Sequence, residues 1–513
     1  MPASNTTHLT VALFLGFILW LIARRALRAF RNLPPGPKGL PIVGDVRHIG
    51  DRDWLMSSQR RDEYGEMMYV SALGKGVLVI NSARVAIDLL EKRSSIYSDR
   101  RHYICAGDFS TKNLMFSLMP YGDLWRRFRR VAVEGFSKSA VKNFYPIQGR
   151  EALVLALSLM KNPATLKKHL QRHTWSIMLS VNYHFPPVDS EDDPVIVGVA
   201  KHTERMLHVT SPGARLVENF TWMRYIPSRF AKWKRDAEYW FVQDSLMFGD
   251  LLGKVVDELA NGIDRPSFGA SVIQNQRKHD LSECEQAWLV GAMLAAGGET
   301  TSTMLQWWVL AMLAYPEVQS RAHAELDEVV GSARPPTFAD LPSLPYIRAM
   351  VKEILRWSPT VPFGLPHAST EDDWYEGMFI PKGTICLQNM RTLNFNPEVY
   401  GSNVAEFDPA RYLDENGQVK VLMVDREEGH MSFGFGRRIC PGRFVAEGTL
   451  AIDFATLLWA MRFDRADGGR GELDVRTMVH AGATTQPRAF EYKITPRFTE
   501  AESLLKDSLN LYG

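Results

Sequence analysis

Residues 433–442 read FGFGRRICPG and set Cys440 in a Gly-rich loop immediately ahead of an apolar run. A thiol just before a helix meets backbone N–H groups and the positive end of the helix dipole, both of which favour its ionised form. Arg438 adds a cation two residues away, and Gly434, Gly436 and Gly442 let the backbone come close to a flat ligand. Such a thiolate is suited to binding a soft metal ion. The alternative is a buried free cysteine in a chance turn, which is the reading that fits Cys105, Cys284 and Cys386.

A second group lies in AGGETT, residues 296–301. Glu299 and Thr300 place an acid beside a hydroxyl in the middle of a long apolar stretch. An apolar helix has no structural use for Glu299, whose burial is costly unless it is paired, hydrated or used. The blander reading is that Thr300 kinks the helix while Glu299 forms a salt bridge. Further along, Glu353 and Arg356 stand at i and i+3 in LPYIRAMVKEILRW, close enough to pair on one helix face. Trp125 and Arg129 stand at i and i+4 in WRRFRR, so one face offers an aromatic ring and a cation to an anion.

These groups must be positioned by a mainly helical fold. Residues 284–315 contain no turn signal and predict one helix of thirty-odd residues ended by Pro316, with Gly297 and Gly298 making room beside it. Gly297 and Gly298 each cost ~1 kcal/mol relative to Ala there, and a local violation of this kind marks a functional segment. Residues 444–458 predict a buried helix behind Cys440, and residues 344–357 an amphipathic one. Residues 67–70 and 77–80 are β-branched or apolar runs that predict paired strands.

The N-terminal residues 9–23, LTVALFLGFILWLIA, carry no charge. Counted from Thr6, the uncharged run spans roughly 27 Å as a helix, enough for a thin bilayer. Arg24, Arg25, Arg28 and Arg31 follow at once, which puts the rest of the chain in the cytosol. A cleaved signal peptide would carry its charge before the apolar run. Residues 33–41, LPPGPKGLP, predict a stiff connector. The expected organisation is a lumenal 1–8, a transmembrane 9–23, a basic and Pro-rich linker 24–41, and one domain over 42–513.

With 513 residues, 45% hydrophobic and 23% charged, the chain is neither disordered nor fibrous. A net charge of +2 gives no reason to expect nucleic acid. Four cysteines without a C-x-x-C pair exclude a disulfide framework or a zinc site and suit a reducing compartment.

The spacing F-x-x-G-x-R-x-C-x-G, filled by Phe433, Gly436, Arg438, Cys440 and Gly442, resembles the haem-binding loop of the cytochrome P450 family. The resemblance extends over roughly residues 33–498, and the anchor followed by the Pro-rich linker is similar to the family's microsomal branch. It implies the cytochrome P450 fold, mainly α with a small β-sheet region, and haem b with Cys440 as axial thiolate to the iron. AGGETT resembles the family's oxygen motif, so Glu299 and Thr300 inherit proton delivery. Glu353 and Arg356 resemble its E-x-x-R helix, with Arg411 of FDPARY as the third, structural member. Trp125, Arg129, Arg438, His367 and Arg100 are implied as contacts to the haem propionates. In one departure, Asn394-Phe395-Asn396-Pro397 stands where the family often has H-x-D-P.

The resemblance implies a monooxygenase that uses O2 and electrons from NADPH through a separate NADPH–cytochrome P450 reductase, with cytochrome b5 as a further donor. No G-x-G-x-x-G strand-to-helix unit marks a nicotinamide or flavin module in the chain. The pocket is expected from segments 101–119, 207–230, 292–300, 361–365 and 480–486, and its apolar character suits a terpenoid or other hydrophobic small molecule, as in fungal secondary metabolism or xenobiotic oxidation. The expected location is the endoplasmic reticulum membrane, single-pass, facing the cytosol. Arg126, Arg127, Arg130, Arg437 and Arg443 are candidates for a basic face that docks an acidic electron donor. A haem-thiolate isomerase or dehydratase and a non-catalytic haem-binding membrane protein are the alternatives. The intact Glu299 and Thr300 favour monooxygenation over both.

Overall fold

The computed structural model describes Gly16 and residues 32–37, 39, 44–45 and 58–512, apart from 73, 212, 423–425, 467–472 and 482–483. The chain divides into two compact units, Met1–Arg101 with Pro366–Thr392, and His102–Leu365 with Leu393–Gly513.

The first unit is built on strands. β1 (Met67–Ala72) and β2 (Lys75–Ile80) form the expected antiparallel pair, with Met67 opposite Ile80 and Val70 opposite Val77. β3 (Asp99–Arg100), β4 (His367–Ala368), β5 (Asp373–Tyr375), β6 (Met378–Ile380) and β7 (Ile385–Gln388) complete it. The sheet order is β1-β2-β7-β4-β3, with β2 and β7 parallel, and β5 and β6 form a separate hairpin. Val77–Ile80 are buried on both faces, which is why that strand reads as an unbroken apolar run. The described part of the Pro-rich linker, residues 32–37, is non-helical, and the Pro35 carbonyl accepts from the Tyr69 N–H at 2.7 Å. A Cβ on Gly36 would collide with the Tyr69 carbonyl, so only glycine lets the linker pass there.

The second unit is helical. Its principal helices are α1 (Asp123–Gly135), α2 (Tyr145–Lys161), α3 (Leu166–Tyr183), α4 (Pro194–Thr210), α5 (Lys232–Ala260), α6 (Glu283–Ala314), α7 (Pro316–Val329), α8 (Pro345–Trp357) and α9 (Arg443–Ala460). Two short antiparallel pairs join them: β8 (Met461–Asp464) with β11 (Lys493–Pro496), and β9 (Met478–Ala481) with β10 (Thr484–Pro487). α6 begins at a capping box in which Ser282 and Glu285 satisfy each other's backbone N–H groups, and it stops where Pro316 opens α7. It is apolar almost all round and packs against α3, α5, α8 and α9, as expected of a helix through the middle of a core.

Among the described residues no helix is long and apolar enough to cross a membrane. The predicted span, residues 9–23, lies outside the described residues except for Gly16.

Candidate functional site

The Cys440 loop is shaped by two glycines in the left-handed region, Gly434 at φ 79° and Gly436 at φ 53°. The Cys440 N–H donates to the Phe433 carbonyl at 2.9 Å, Gly434 N–H to Met431 O at 2.9 Å, and Arg426 Nη1 to Gly434 O at 3.1 Å. Cys440 is enclosed by protein, yet it and its neighbours Phe433, Gly434, Gly436, Arg438 and Gly442 keep partly accessible surface. Burial pushes the thiol up, while the Gly442 amide and the Arg129 and Arg443 guanidiniums pull it back down. Besides the expected Arg438, the structure adds two cations that the sequence does not point to as neighbours of the sulfur, Arg129 and Arg443, whose charges favour the thiolate. Arg438 itself lies over the Trp125 ring at 4.2 Å and donates to the Met119 carbonyl at 2.8 Å.

The middle of α6 departs from its ends in the same way. Residues on either side are buried, but Ala296 is exposed and Gly297, Glu299, Thr300 and Thr301 are half-buried, so the helix opens onto accessible space there. The Thr300 hydroxyl donates to the Ala296 carbonyl at 2.9 Å, leaving its lone pairs as acceptors. Burial raises the Glu299 carboxyl above the usual range, against the pull of Lys167 and of Gln486. Gln486 Nε2 donates to Glu299 Oε1 at 3.0 Å, and the exposed Lys167 Nζ donates to Gln486 Oε1 at 3.1 Å. This chain from surface to acid was not read from the sequence, because Gln486 belongs to β10 and no spacing links it to α6. Gly297 and Gly298 do not leave open room. A Cβ on either would strike Met178 or Trp175 of α3, so these glycines allow α3 to approach, and Thr174 Oγ1 donates to the Gly298 carbonyl at 2.7 Å across that contact.

Glu353, Arg356 and Arg411 come together. Arg356 makes a bidentate pair with Glu353, both bonds 2.7 Å, and Arg411 Nε reaches Glu353 Oε1 at 3.0 Å. Glu353 and Arg356 are fully buried. The remaining Arg356 donors reach the carbonyls of Asn394, Val404 and Glu406, so α8 is tied to the segment leading to the cysteine loop.

The family model described as Cytochrome P450 matches residues 34–494. The chain belongs to the cytochrome P450 monooxygenase family. A cytochrome P450 monooxygenase of Armillaria gallica is 46% identical over 494 residues, covering 95% of each chain. Cytochrome P450 monooxygenase 58 of Postia placenta is 39% identical over 98% of this chain and 96% of its own. Cytochrome P450 monooxygenase iboC of Amanita muscaria is 35% identical over 96% of both.

The residues present fit the haem that this family carries. Gly442 has φ −83°, so backbone conformation does not require a glycine, and a Cβ there would meet only the Cys440 sulfur at 4.0 Å. The loop backbone at Gly442 thus passes close to the sulfur with no side chain between them, which suits the close approach of a flat macrocycle. Arg129 Nη1 donates to the Ile439 carbonyl at 2.6 Å, and burial lowers its pKa to about 10, so it is a partly desolvated cation holding the cysteine loop. Trp125 is buried one turn before it. In the first unit, Arg100 and His367 face each other as cross-strand partners of β3 and β4. Arg100 Nη1 donates to Pro366 O at 3.0 Å, and His367 Nδ1 lies 2.7 Å from Tyr97 O.

The basic face of this cytochrome P450 is smaller than the sequence suggests. Arg127 bonds Asp280, and Arg443 is engaged with Glu428 and the Cys440 carbonyl. Arg126, Arg130 and Arg437 are exposed, with Arg126 paired to Asp123 and Arg437 bonded to the Tyr121 hydroxyl.

Proposed function

We propose that this chain is a membrane-anchored haem-thiolate monooxygenase that draws electrons from NADPH through a separate reductase and inserts one oxygen atom into a hydrophobic small molecule. The observation that carries this reading is that one unit holds both the Cys440 loop, which keeps partly accessible surface, and the Glu299–Thr300 pair, which is accessible in the middle of an otherwise buried helix. Haem b held by the Cys440 thiolate supplies the oxygen-activating chemistry. Cys440, Phe433, Gly436 and Gly442 would seat it, and Trp125, Arg129 and Arg438 are the groups of the same unit that would meet its propionates. Glu299 holds a proton at a carboxyl made less acidic by burial, and Thr300 passes it on through its hydroxyl. Gln486 and Lys167 connect that acid to solvent.

A role in secondary metabolism is supported by the fungal monooxygenases that the chain resembles. Attachment to the endoplasmic reticulum, facing the cytosol, is supported by the apolar 9–23 segment with its following arginines. Exposed Trp222, Tyr225 and Phe230, with Arg224 and Arg229 among them, add an apolar and basic strip suited to a lipid interface. The exposed Arg126, Arg130 and Arg437 support docking of an acidic reductase.

The test is the carbon monoxide difference spectrum of the reduced protein. A strongly red-shifted Soret band is expected for the wild type. Cys440→Ser should lose that band while Arg130→Ala keeps it. A conventional band in folded, haem-loaded wild-type protein would refute thiolate ligation by Cys440.

A further inference from the structure

Arg443 opens α9 three residues after Cys440 and was grouped above with the docking arginines. Its surroundings point elsewhere. Arg443 Nη1 donates to the Cys440 carbonyl at 3.3 Å, and its Nε stands 3.2 Å from Glu428 Oε1. The two side chains are only 22% and 16% exposed, whereas that of Arg126 is 51% exposed. Glu428 is presented by a loop pinned from behind: Lys352 Nζ, next to the buried Glu353 on α8, donates to the carbonyls of Glu427 at 2.7 Å and Glu428 at 3.1 Å. Lys352 thus holds the Glu428 backbone, the Glu428 carboxylate forms an ion pair with the Arg443 guanidinium, and that guanidinium donates to the backbone of the sulfur-bearing residue. The same guanidinium is one of the two whose charge favours the Cys440 thiolate, and Glu447, one turn along α9, acts in the opposite sense. Inside a low-dielectric wall, a charge at this range is felt strongly by a neighbouring anion.

We propose that Arg443 is a positioning residue for the axial ligand, and that the Arg443–Glu428 pair sets the charge beside the Cys440 sulfur and so the reduction potential of the haem. The proposal rests on the haem-thiolate reading above. Glu428 neutralises part of the Arg443 charge, so the two residues act in opposite directions. Losing the cation stabilises the oxidised, more positive centre; losing the anion destabilises it.

The experiment is spectroelectrochemical titration of the haem-loaded full chain, with the carbon monoxide difference spectrum recorded on each sample. Arg443→Leu should raise the oxidised-to-reduced ratio at fixed applied potential by about tenfold, a shift to a potential 59 mV lower for one electron. Glu428→Gln should move it the other way, and Arg443→Lys should restore most of the wild-type value. If Arg443→Leu loses its haem, the upward shift in the isosteric Glu428→Gln, set against the near-wild-type potential of the charge-retaining Arg443→Lys, carries the test. Potentials unmoved in Glu428→Gln and Arg443→Leu, with reductase-supported turnover lost in a salt-dependent way, would overturn the proposal in favour of docking. Absence of the thiolate band from the wild type would instead remove the reading on which it rests.

Discussion

Thr300 and Glu299 act as a pair only if the hydroxyl can both accept and donate, and the Thr300 bond to the Ala296 carbonyl leaves it free to accept. Thr300→Ala should therefore keep the haem and its thiolate spectrum but release more reducing equivalents as hydrogen peroxide. The check is product formed per NADPH consumed, and unchanged coupling would remove the proton-passing role. Glu447 offers a separate test by stability. Burial pushes its carboxyl up to about 7 from an ordinary value of 4.5. Its folded pKa lies above its unfolded one, so the folded state is favoured with the proton on. That contribution is full below pH 4.5 and is lost as pH rises through about 7. Glu447 keeps some access to solvent, so the loss is smaller than for a dry carboxylate. Thermal melts between pH 4.5 and 8 should show this decline in the wild type and a flatter profile in Glu447→Gln. At this scale the legible residues were those whose partners lie within one motif, such as Cys440 with its loop glycines. The contacts of Gln486, Lys167 and Glu428 were invisible, since each meets its partner across the fold or through a carboxylate with no distinctive spacing, although segment 480–486 reads as part of the pocket.

Helices and loops translate these residues into a site, and here the sequence was most informative. The turn-free apolar run and Pro316 placed α6 within a residue of each observed end, because a buried helix needs an unbroken apolar run and a proline stops it. The reason for Gly297 and Gly298 was misread. Their use is contact with Met178 and Trp175 on α3, and the identity of a packed neighbour more than a hundred residues away is not encoded in local pattern. For α8 the difficulty is similar: Glu353 and Arg356 look like a surface pair by spacing, and only the fold buries them completely. That burial sets the magnitude of a prediction. Glu353→Ala leaves Arg356 sealed in the core without its carboxylate and removes the anchor of Arg411, at a cost of about 3–5 kcal/mol. Denaturant unfolding of the haem-loaded protein should show a loss of that size, accompanied by weaker haem retention. A loss below about 1 kcal/mol would mean the cluster behaves like an exposed ion pair.

For the whole molecule, the near-neutral charge of +2 leaves no long-range attraction to anionic lipid, so the membrane attachment proposed above would have to come from local features. Two are available, and they differ in chemistry. Residues 9–23 are an uncharged run in the sequence, whereas Trp222, Tyr225 and Phe230 are side chains 64%, 80% and 71% exposed on the helical unit. Rings left in water on a folded surface gain roughly 25 cal/mol per Å² of apolar area when covered. Arg229 beside them suits phosphate headgroups, whereas Arg224 is paired with Asp108. Removing residues 1–31 should therefore weaken but not abolish sedimentation with vesicles of mixed neutral and anionic lipid. Adding Trp222→Ser, Tyr225→Ser and Phe230→Ser to that shortened chain should release it to the supernatant, with the carbon monoxide spectrum unchanged. High salt should release the shortened chain only in part, because the aromatic contribution is not screened. Complete release on deletion of 1–31 alone would assign all membrane affinity to the anchor and leave the exposed rings without that role.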